Sequence, residues 1–539
     1  MASRHGLLTY PALVPYEQSE KRHWALVDIA IVTVIALSTA AMRLPMLSQY
    51  LWRDEGSTYF DVSGNLADLF RHVWQNELTP PLYFIIEHLW VRLFGTGEMV
   101  MRVPSLVFAV LTVVVLYAFG IAAGSRLVAI FAAVIAAITP LTLQAGMDAR
   151  AYGLAVLLCA CTIFAFMRAY EERDERKALR WAIALCCSSA LLIATHFTGF
   201  IIVGSLVVAG AVIALVDRKQ QRFLPLAGAA AGLLATAPLL IWFRHDETQV
   251  VWNGMMQEPL LRRIDDHLNA FTPFGAMQVQ LDRMIEVGLA AWIIALLIRG
   301  RFTASDARIA VTGFIVAVGI VASMMHNLTM GRHLAPYAPA AWLCLALLLE
   351  RFVTWVFRAN DAPLLLRIVF GLAGAYVIIG GAVSYPRAYR QAALPISGAG
   401  PAVTSLHERA DEPVLLVAIP DYLGPSLAYY TRGDRSVFLR GVRTWDNPEF
   451  YSIDPSRWEQ PGFAARMARQ IDEFAARNHL QIALAIDWSA TTYNGMNYHK
   501  AHDVAALEMQ RHRMIFDRSF GGSLEPVDLV LLSEPLAHH

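Results

Sequence analysis

The segment MRVPSLVFAVLTVVVLYAF, residues 101–119, contains no charged residue after Arg102. The hydrocarbon core of a bilayer is about 30 Å thick, and a helix needs about 20 mainly apolar residues to cross it. The segment therefore predicts a membrane span. The composition of the whole chain agrees, because 56% of its 539 residues are hydrophobic and only 16% are charged, whereas soluble domains average about 25% charged residues. We predict a mostly α-helical, polytopic membrane protein.

Similar apolar segments occur on both sides of this one. We predict about eleven spans, at residues 24–47, 101–119, 127–145, 150–169, 179–196, 198–216, 223–243, 281–299, 307–325, 333–351 and 366–384. The shorter run at residues 80–94 contains Glu87, His88 and Arg92. If this run lies on the membrane surface, the basic loops all fall on the cytoplasmic side, as the positive-inside rule requires. We therefore predict interfacial helices in the first outer loop, residues 48–100.

The polar C-terminal region, residues 386–539, is predicted to be a soluble α/β domain that follows a membrane unit of residues 24–385. Apolar runs of strand length lie at residues 413–419, 482–487 and 527–532. Segments of helical spacing lie between them, at residues 462–478 and 502–513. Strands that alternate with helices indicate a small, largely parallel sheet. This domain is predicted to cover the outer cavity without supplying a catalytic base.

The membrane side of each part follows from whether the number of preceding membrane crossings is odd or even. Residues 1–23 are predicted to be cytoplasmic, and eleven crossings then place residues 48–100 and 386–539 on the extracytoplasmic side. We therefore predict a multi-pass protein of the inner (plasma) membrane whose active site and C-terminal domain face the periplasm or cell exterior. Lys+Arg and Asp+Glu number 44 each, so no basic surface for nucleic acid is expected. The five cysteines all lie in apolar runs and are predicted to pack as small hydrophobes.

Three polar motifs follow one another on the predicted outer side. The first, Trp52-Arg-Asp-Glu-Gly-Ser-Thr-Tyr59, comes directly after the first span. Two adjacent carboxylates, Asp54 and Glu55, are costly beside lipid unless they have partners or a role. The alternative is a solvated loop start that Arg53 neutralises. The second and third motifs are Thr79-Pro-Pro-Leu-Tyr83 and Asp148-Ala-Arg-Ala-Tyr152. For the third motif the alternative is that the Asp148 carboxylate is a helix N-cap with its own salt-bridge partner.

The order of these motifs resembles that of the GT-C glycosyltransferases. The branch that contains the lipid A aminoarabinose transferase and the protein O-mannosyltransferases is the most similar in pattern. Further matching pieces are Arg102-Val-Pro-Ser105, Thr195-His-Phe-Thr198 and Arg332-His-Leu-Ala-Pro336, so the resemblance covers about residues 24–385. Two positions depart from the pattern, since relatives commonly have His where this chain has Thr79 and Glu where it has Asp148.

The resemblance implies an inverting hexosyl- or pentosyltransferase. Such an enzyme moves a sugar from a polyprenyl-phosphate-linked donor to a hydroxyl of an extracytoplasmic lipid, glycan or protein. It also implies a membrane helix bundle with interfacial helices in the first outer loop and an outer domain. Two alternatives are a secondary transporter of an envelope precursor and a non-catalytic outer-face binding protein. The acids cluster at one membrane face and no repeat is visible in the span pattern, which favours the enzyme over a transporter.

The resemblance also assigns roles to residues. Asp54 is the predicted general base, and Glu55 and Asp148 complete the catalytic set. The predicted substrate-binding residues are Tyr83, Arg150, Tyr152, His196, Arg244, Arg332 and His333. An arginine suits the donor phosphate because its guanidinium is a planar fork, and Arg332 is ranked first because it lies beside His333 at the start of a span and matches the late family motif. The alternatives are interfacial anchors for the arginines and a structural role for His196. No cofactor is predicted to be required; Mg²⁺ or Mn²⁺ is possible, held by Asp54 and Asp148.

Overall fold

The structure is a computed structural model that describes residues 26–77, 79–145, 147–216, 223–242, 304–325, 331–358, 393–449, 460–490, 492–493 and 496–535, with a few positions between 368 and 391. The predicted N-terminal segment 1–23 and the predicted span 281–299 lie outside these residues. Most of the predicted span 366–384 lies outside them as well.

Helices account for nearly all of the described chain before residue 358. They are α1 (Leu26–Leu47), α2 (Arg53–Ser63), α3 (Leu66–Asn76), α4 (Leu82–Phe94), α5 (Glu98–Ala122), α6 (Arg126–Ile138), α7 (Pro140–Ala145), α8 (Tyr152–Glu171), α9 (Glu175–Thr195), α10 (Thr198–Val216), α11 (Phe223–Ala235), α12 (Ala304–Met325) and α13 (Ala338–Arg358). Within the described residues, seven segments are long and apolar enough to cross a membrane: α1, α5, α8, α9, α10, α12 and the segment that forms α13. The prediction of a polytopic helix bundle is confirmed, and the count of eleven spans stays a prediction.

Proline residues explain two differences from the predicted spans. The predicted span 127–145 is divided into α6 and α7 at Thr139, which is extended with ψ 129°. A residue before proline avoids the helical region, and Pro140 follows Thr139. The predicted span 333–351 begins as a 3₁₀ turn, Gly331–Tyr337, that contains Pro336. Helix α13 starts only after this turn.

The loop after α1 contains three short helices, α2, α3 and α4. The longest of them, α4, has 13 residues and is therefore only about 20 Å long at 1.5 Å per residue. This length is short of the bilayer core and agrees with an interfacial position for residues 80–94. Asn65 begins α3 by accepting a hydrogen bond from Asp68 N–H at 3.0 Å, and Pro81 precedes α4, where its missing N–H costs nothing.

The ends of the long helices sort into two groups, one at each end of the bundle. At one end, Arg126 at the start of α6 forms an ion pair with Asp28 at the start of α1, 2.8 Å apart. At the same end of the bundle, Glu171, the last residue of α8, forms an ion pair with Arg308 at the start of α12, 2.6 Å apart. Arg308 also donates to the carbonyl of Ala123, directly after α5. The opposite end carries α2–α4, the start of α8, the α9–α10 connection and the 3₁₀ turn.

A five-stranded sheet lies in the C-terminal region, in the order β2-β1-β3-β7-β6. Its strands are β1 (Val414–Ile419), β2 (Val437–Gly441), β3 (Gln481–Ile486), β6 (His512–Phe520) and β7 (Val527–Pro535), and a separate two-stranded ladder contains β4 (Thr492–Tyr493) and β5 (Met496–Asn497). The helices of this region are α14 (Ala399–Arg409), α15 (Gly424–Thr431), α16 (Phe463–Asn478) and α17 (His499–Arg511). The predicted α/β character is confirmed.

The sheet is mixed rather than largely parallel. Strand β1 pairs in parallel with β2 and β3, whereas β7 is antiparallel to both β3 and β6. Only six residues separate β6 from β7, and a connection this short permits only an antiparallel pair. The prediction missed β6 and β2, whose residues are mostly exposed or half-buried and thus lack the continuous apolar run that identified the other strands.

The C-terminal region packs directly on α2. The rings of Tyr59 on α2 and Tyr429 on α15 lie 5.0 Å apart. A methyl group placed on Gly56 would come within 2.6 Å of the backbone carbonyl carbon of Pro425, which is closer than real Cβ contacts allow, so only glycine fits at this crossing. Leu51 N–H donates to the hydroxyl of Tyr430 at 2.6 Å. The helix that begins with the first acidic motif is therefore held between the membrane bundle and the sheet region.

Candidate active site

Glu55 is buried in an ion pair with Arg102 of α5. The Arg102 guanidinium donates from Nε to Glu55 Oε1 at 2.7 Å and from Nη2 to Oε2 at 2.5 Å, and neither side chain is more than 2% exposed. Arg102 also donates to the carbonyls of Leu47 and Tyr50 at 3.1 Å each. This pair joins the end of α1, the start of α2 and the start of α5.

The segment of the third motif docks against the first. Ala149 N–H donates to Glu55 Oε1 at 3.0 Å, and Trp52 Nε1 donates to Asp148 Oδ1 at 3.0 Å. The Ser105 hydroxyl donates to the Asp148 carbonyl at 2.7 Å. The two predicted acidic motifs therefore lie side by side, and Glu55 and Asp148 both accept hydrogen bonds that hold this contact together.

Arg150 forms a second two-point ion pair, with Glu77 in the loop between α3 and α4. Both nitrogen–oxygen distances are 2.5 Å, and Arg150 also donates to the hydroxyl of Thr58 at 3.2 Å. Burial lowers the pKa of Arg150, but the Glu77 carboxylate more than compensates and holds that pKa well above its ordinary value. Asp61 is buried beside this pair, and burial together with repulsion from Glu77 raises its pKa well above the usual range.

Asp54 is the most accessible of the three predicted catalytic acids. Its side chain is 21% exposed, whereas that of Glu55 is 0% exposed and Asp148 as a whole residue is 7% exposed. It lies in the first turn of α2, where the helix dipole stabilises a carboxylate. Arg53 Nε lies 3.2 Å from Asp54 Oδ1, and Arg150 Nη1 donates to the Asp54 carbonyl at 3.4 Å.

Three predicted substrate-binding residues form an aromatic group beside this acidic site. The Tyr152 ring lies 5.5 Å from the His196 ring and 6.2 Å from the His333 ring. Thr198 N–H donates to His196 Nδ1 at 3.3 Å, so Nε2 carries the proton of the neutral ring. Burial and the charge of Arg150 lower the pKa of His196 to about 4. His196 is therefore neutral at neutral pH and offers one N–H donor.

Tyr83 lies in the buried core between the loop helices. Its hydroxyl donates to Glu87 Oε2 at 3.2 Å, and burial raises the pKa of Glu87 to about 8. Tyr83 itself is 0% exposed. Tyr83 therefore packs within α4 against Glu87. Its predicted contact with substrate stays a prediction.

Glu525 of the sheet region caps the helix that carries Asp54. Its Oε2 accepts a hydrogen bond from Arg53 N–H at 2.7 Å, and its Oε1 accepts one from the Ser426 hydroxyl. Burial raises the pKa of Glu525 to about 8. The Arg53 guanidinium also lies over the Tyr422 ring, 4.9 Å from its centroid. The sheet region therefore supplies a buried carboxylate that accepts from the backbone N–H of Arg53, the residue before Asp54.

Two predicted residues lie wholly or partly outside the described residues, and the predicted metal pair has no third ligand within them. Arg244 lies outside the described residues, and Arg332 lies in the 3₁₀ turn with its side chain outside them. Among the described residues, Asp54 and Asp148 do not belong to any group of three His, Cys, Asp or Glu at ligand spacing. The group that does have such spacing contains Asp472, Glu508 and His512, in the sheet region.

Comparison with known proteins adds the family context. A family sequence model described as dolichyl-phosphate-mannose-protein mannosyltransferase matches residues 79–242, and a search of curated proteins finds no match. ArnT from Cupriavidus metallidurans bound to undecaprenyl phosphate is 14% identical with a TM-score of 0.52, and the match covers 94% of this chain and 98% of that chain. The chain has the GT-C fold.

A second solved structure supports the same fold. The apo oligosaccharyltransferase of Archaeoglobus fulgidus is 13% identical with a TM-score of 0.55, and the match covers 96% of this chain and 77% of that chain. The predicted GT-C resemblance is confirmed at the level of the fold. The family match begins at Thr79 and includes Asp148, Arg150, Tyr152 and His196, whereas the first acidic motif lies before it.

Four charged residues in or beside the candidate site were missing from the predicted set: Asp61, Glu77, Arg102 and Glu525. A sequence signal existed for two of them. Arg102 is the first residue of one matching motif. Glu77 lies two residues before Thr79, the first residue of another. No local signal marks Glu525, whose contact with Arg53 spans 472 residues of sequence.

Proposed function

We propose that this protein is a glycosyltransferase that takes a sugar from a polyprenyl-phosphate-linked donor and passes it to a hydroxyl of a lipid, glycan or protein. The observation that carries the proposal is the position of Asp54, a partly exposed carboxylate in the first turn of α2, beside the third motif of a GT-C fold. The family description names a dolichyl-phosphate-mannose enzyme. One structural neighbour was solved with undecaprenyl phosphate, and another with dolichol phosphate. These comparisons support a lipid-phosphate donor.

In the proposed mechanism Asp54 is the general base. A carboxylate oxygen of Asp54 takes the proton from the acceptor hydroxyl. The acceptor oxygen then bonds to the anomeric carbon while the bond from that carbon to the donor phosphate oxygen breaks, which inverts the configuration and releases polyprenyl phosphate. Glu55 and Arg102 hold α2 in place beneath this carboxylate and act as positioning residues.

Arg332 is the proposed partner of the departing phosphate. A guanidinium can donate two parallel hydrogen bonds to a phosphate. Arg150 is a weaker candidate than the sequence indicated, because both ends of its fork already bind Glu77. The neutral His196 and its neighbours Tyr152 and His333 are proposed to contact the sugar. The donor set at Asp54 and Asp148 offers two carboxylates without a third described ligand, so no step is assigned to a metal.

The proposed activity is tested with purified protein in liposomes and a panel of undecaprenyl-phosphate-linked hexoses and pentoses. We expect release of undecaprenyl phosphate and transfer of the sugar to a hydroxyl acceptor from an envelope extract. Movement of the intact donor across the liposome membrane without release would instead support a transporter. Donor binding with neither release nor movement would support a binding protein, and either outcome would contradict the enzyme.

We propose that the active site and the sheet region face the extracytoplasmic side of the inner membrane. The contacts of α2 with the sheet region support a common side, and loop charge supports the outer one. Single cysteines at the exposed positions Ser63 and Ser523 are expected to react with an impermeant thiol reagent in intact cells. A cysteine at Arg176, an exposed position in the first turn of α9, should react only after permeabilisation. The reverse pattern would place the site inside.

A further inference from the structure

A group of charged side chains lies in the sheet region, away from the proposed active site. Asp472 comes from α16, Glu508 and Arg511 come from the end of α17, and His512 begins β6. One candidate ligand atom from each of Asp472, Glu508 and His512 lies within 4.8 Å of the other two. Glu508 is 0% exposed and His512 is 3% exposed, whereas the side chains of Asp472 and Arg511 reach the surface and are 21% and 35% exposed.

Three of the four carboxylate oxygens of this group lack hydrogen bonds. Both carboxylate oxygens of Glu508 and Oδ1 of Asp472 are buried without a hydrogen-bond partner. Buried carboxylates normally accept several hydrogen bonds, because each lone pair removed from water costs free energy when it is left unmatched. The Glu508 oxygens have only longer contacts, Oε1 with Arg511 Nη1 at 3.8 Å and Oε2 with His512 Nδ1 at 3.4 Å. Three oxygens without hydrogen bonds in one place indicate a missing cation or proton.

The charges in the group do not balance. Arg511 is the one permanently charged cation among its members; it forms an ion pair with Asp472 Oδ2, and its Nη1 lies 3.8 Å from Glu508 Oε1. One guanidinium faces two carboxylates, so the group carries a net negative charge beside the buried Glu508 if His512 is neutral and both carboxylates are ionised. A buried net charge is costly, and a divalent cation would remove that cost.

The histidine is oriented as metal ligands usually are. His512 Nδ1 lies 3.2 Å from the backbone carbonyl oxygen of Glu508, and an N–H donated to a carbonyl is the common way to orient a ligating imidazole. Nε2 then carries the lone pair and lies 3.4 Å from Asp472 Oδ1. Two ligand atoms that are each about 2.0–2.1 Å from a tetrahedral zinc are about 3.4 Å apart.

We propose that Asp472, Glu508 and His512 form a divalent-metal site of the type that binds zinc. A nitrogen ligand with two carboxylates suits Zn²⁺, which accepts imidazole and carboxylate together in tetrahedral sites. The site would join α16, α17 and the first residue of the edge strand β6. Its role is structural, since no contact among the described residues connects it with Asp54, and it does not depend on the proposed glycosyltransferase activity.

The test uses the full-length protein, without a polyhistidine tag, after treatment with EDTA. We expect one equivalent of zinc per chain, measured by mass spectrometry of the metal content, and a higher thermal unfolding temperature when ZnCl₂ is added. E508Q and H512N should each lower the zinc affinity by about 100-fold or more, since even outer-shell changes cost about 10–100-fold. Without zinc, E508Q should be at least as stable as the native chain because it removes a buried charge.

The matched control is H407N. His407 faces Asp434 at an exposed position of the same region, so this change should leave zinc binding unaltered. Zinc that binds with equal affinity to the native chain, E508Q and H512N would be at another site and would overturn the proposal. Failure of the folded native chain to bind zinc would overturn it as well and would indicate that a proton shared by Glu508 and Asp472 satisfies the group.

Discussion

Asp54→Asn is expected to lower turnover of a polyprenyl-phosphate sugar by about 10²–10⁴-fold, the usual contribution of a positioned general base. Asparagine has the size of aspartate and keeps an oxygen that can accept from Arg53, but it cannot take the hydroxyl proton. Binding of the lipid donor should therefore be unchanged. The measurement compares single-turnover rates with donor affinity on the same purified protein, so that loss of chemistry is separated from loss of binding.

Two further variants make this result specific. Asp411→Asn changes an exposed carboxylate before β1 and should leave turnover unaltered. Arg332→Ala should weaken donor binding as well as turnover, because the donor phosphate is charged both in the bound substrate and in the transition state. Near-normal turnover by a well-folded Asp54→Asn protein would refute the general-base role, and Asp148 would then be tested in its place.

Arg102→Met is expected to cause the largest loss of stability. It leaves the buried Glu55 carboxylate without its guanidinium, and breaking a buried ion pair by removing one partner costs about 3–5 kcal/mol. It also removes the donors to the carbonyls of Leu47 and Tyr50. Thermal unfolding in detergent should shift strongly downward, and turnover should fall because the start of α2 loses its anchor.

A double-mutant cycle identifies the pair as the cause. Adding Glu55→Gln to Arg102→Met removes the orphaned charge and should recover part of the lost stability. The control is Arg71→Met, which breaks an ion pair with Asp68 whose arginine is 59% exposed; exposed pairs contribute about 0–1 kcal/mol. If Arg102→Met unfolds at the native temperature, Glu55 and Arg102 do not anchor α2.

The membrane bundle could be predicted from local sequence because the bilayer imposes a local requirement. A segment of about 20 apolar residues has few structures available to it other than a spanning helix, which is why α1, α5, α8 and α10 were located within a few residues. The buried strands β1, β3 and β7 were recognisable for a similar reason. The first and third motifs could be located, since polar residues at span ends are uncommon enough to stand out.

Tertiary structure alone decided how these residues are used. The sequence indicated Glu55 and Asp148 as catalytic acids, but their oxygens accept hydrogen bonds from Arg102, Ala149 and Trp52. Of the three acids, Asp54 alone has a partly exposed carboxylate. The mixed sheet, the Glu525 cap on α2 and the group at Glu508 also depend on partners far apart in the chain. Hydropathy and spacing describe each residue's own segment, whereas the charge and exposure of a carboxylate are set by the distant groups packed against it.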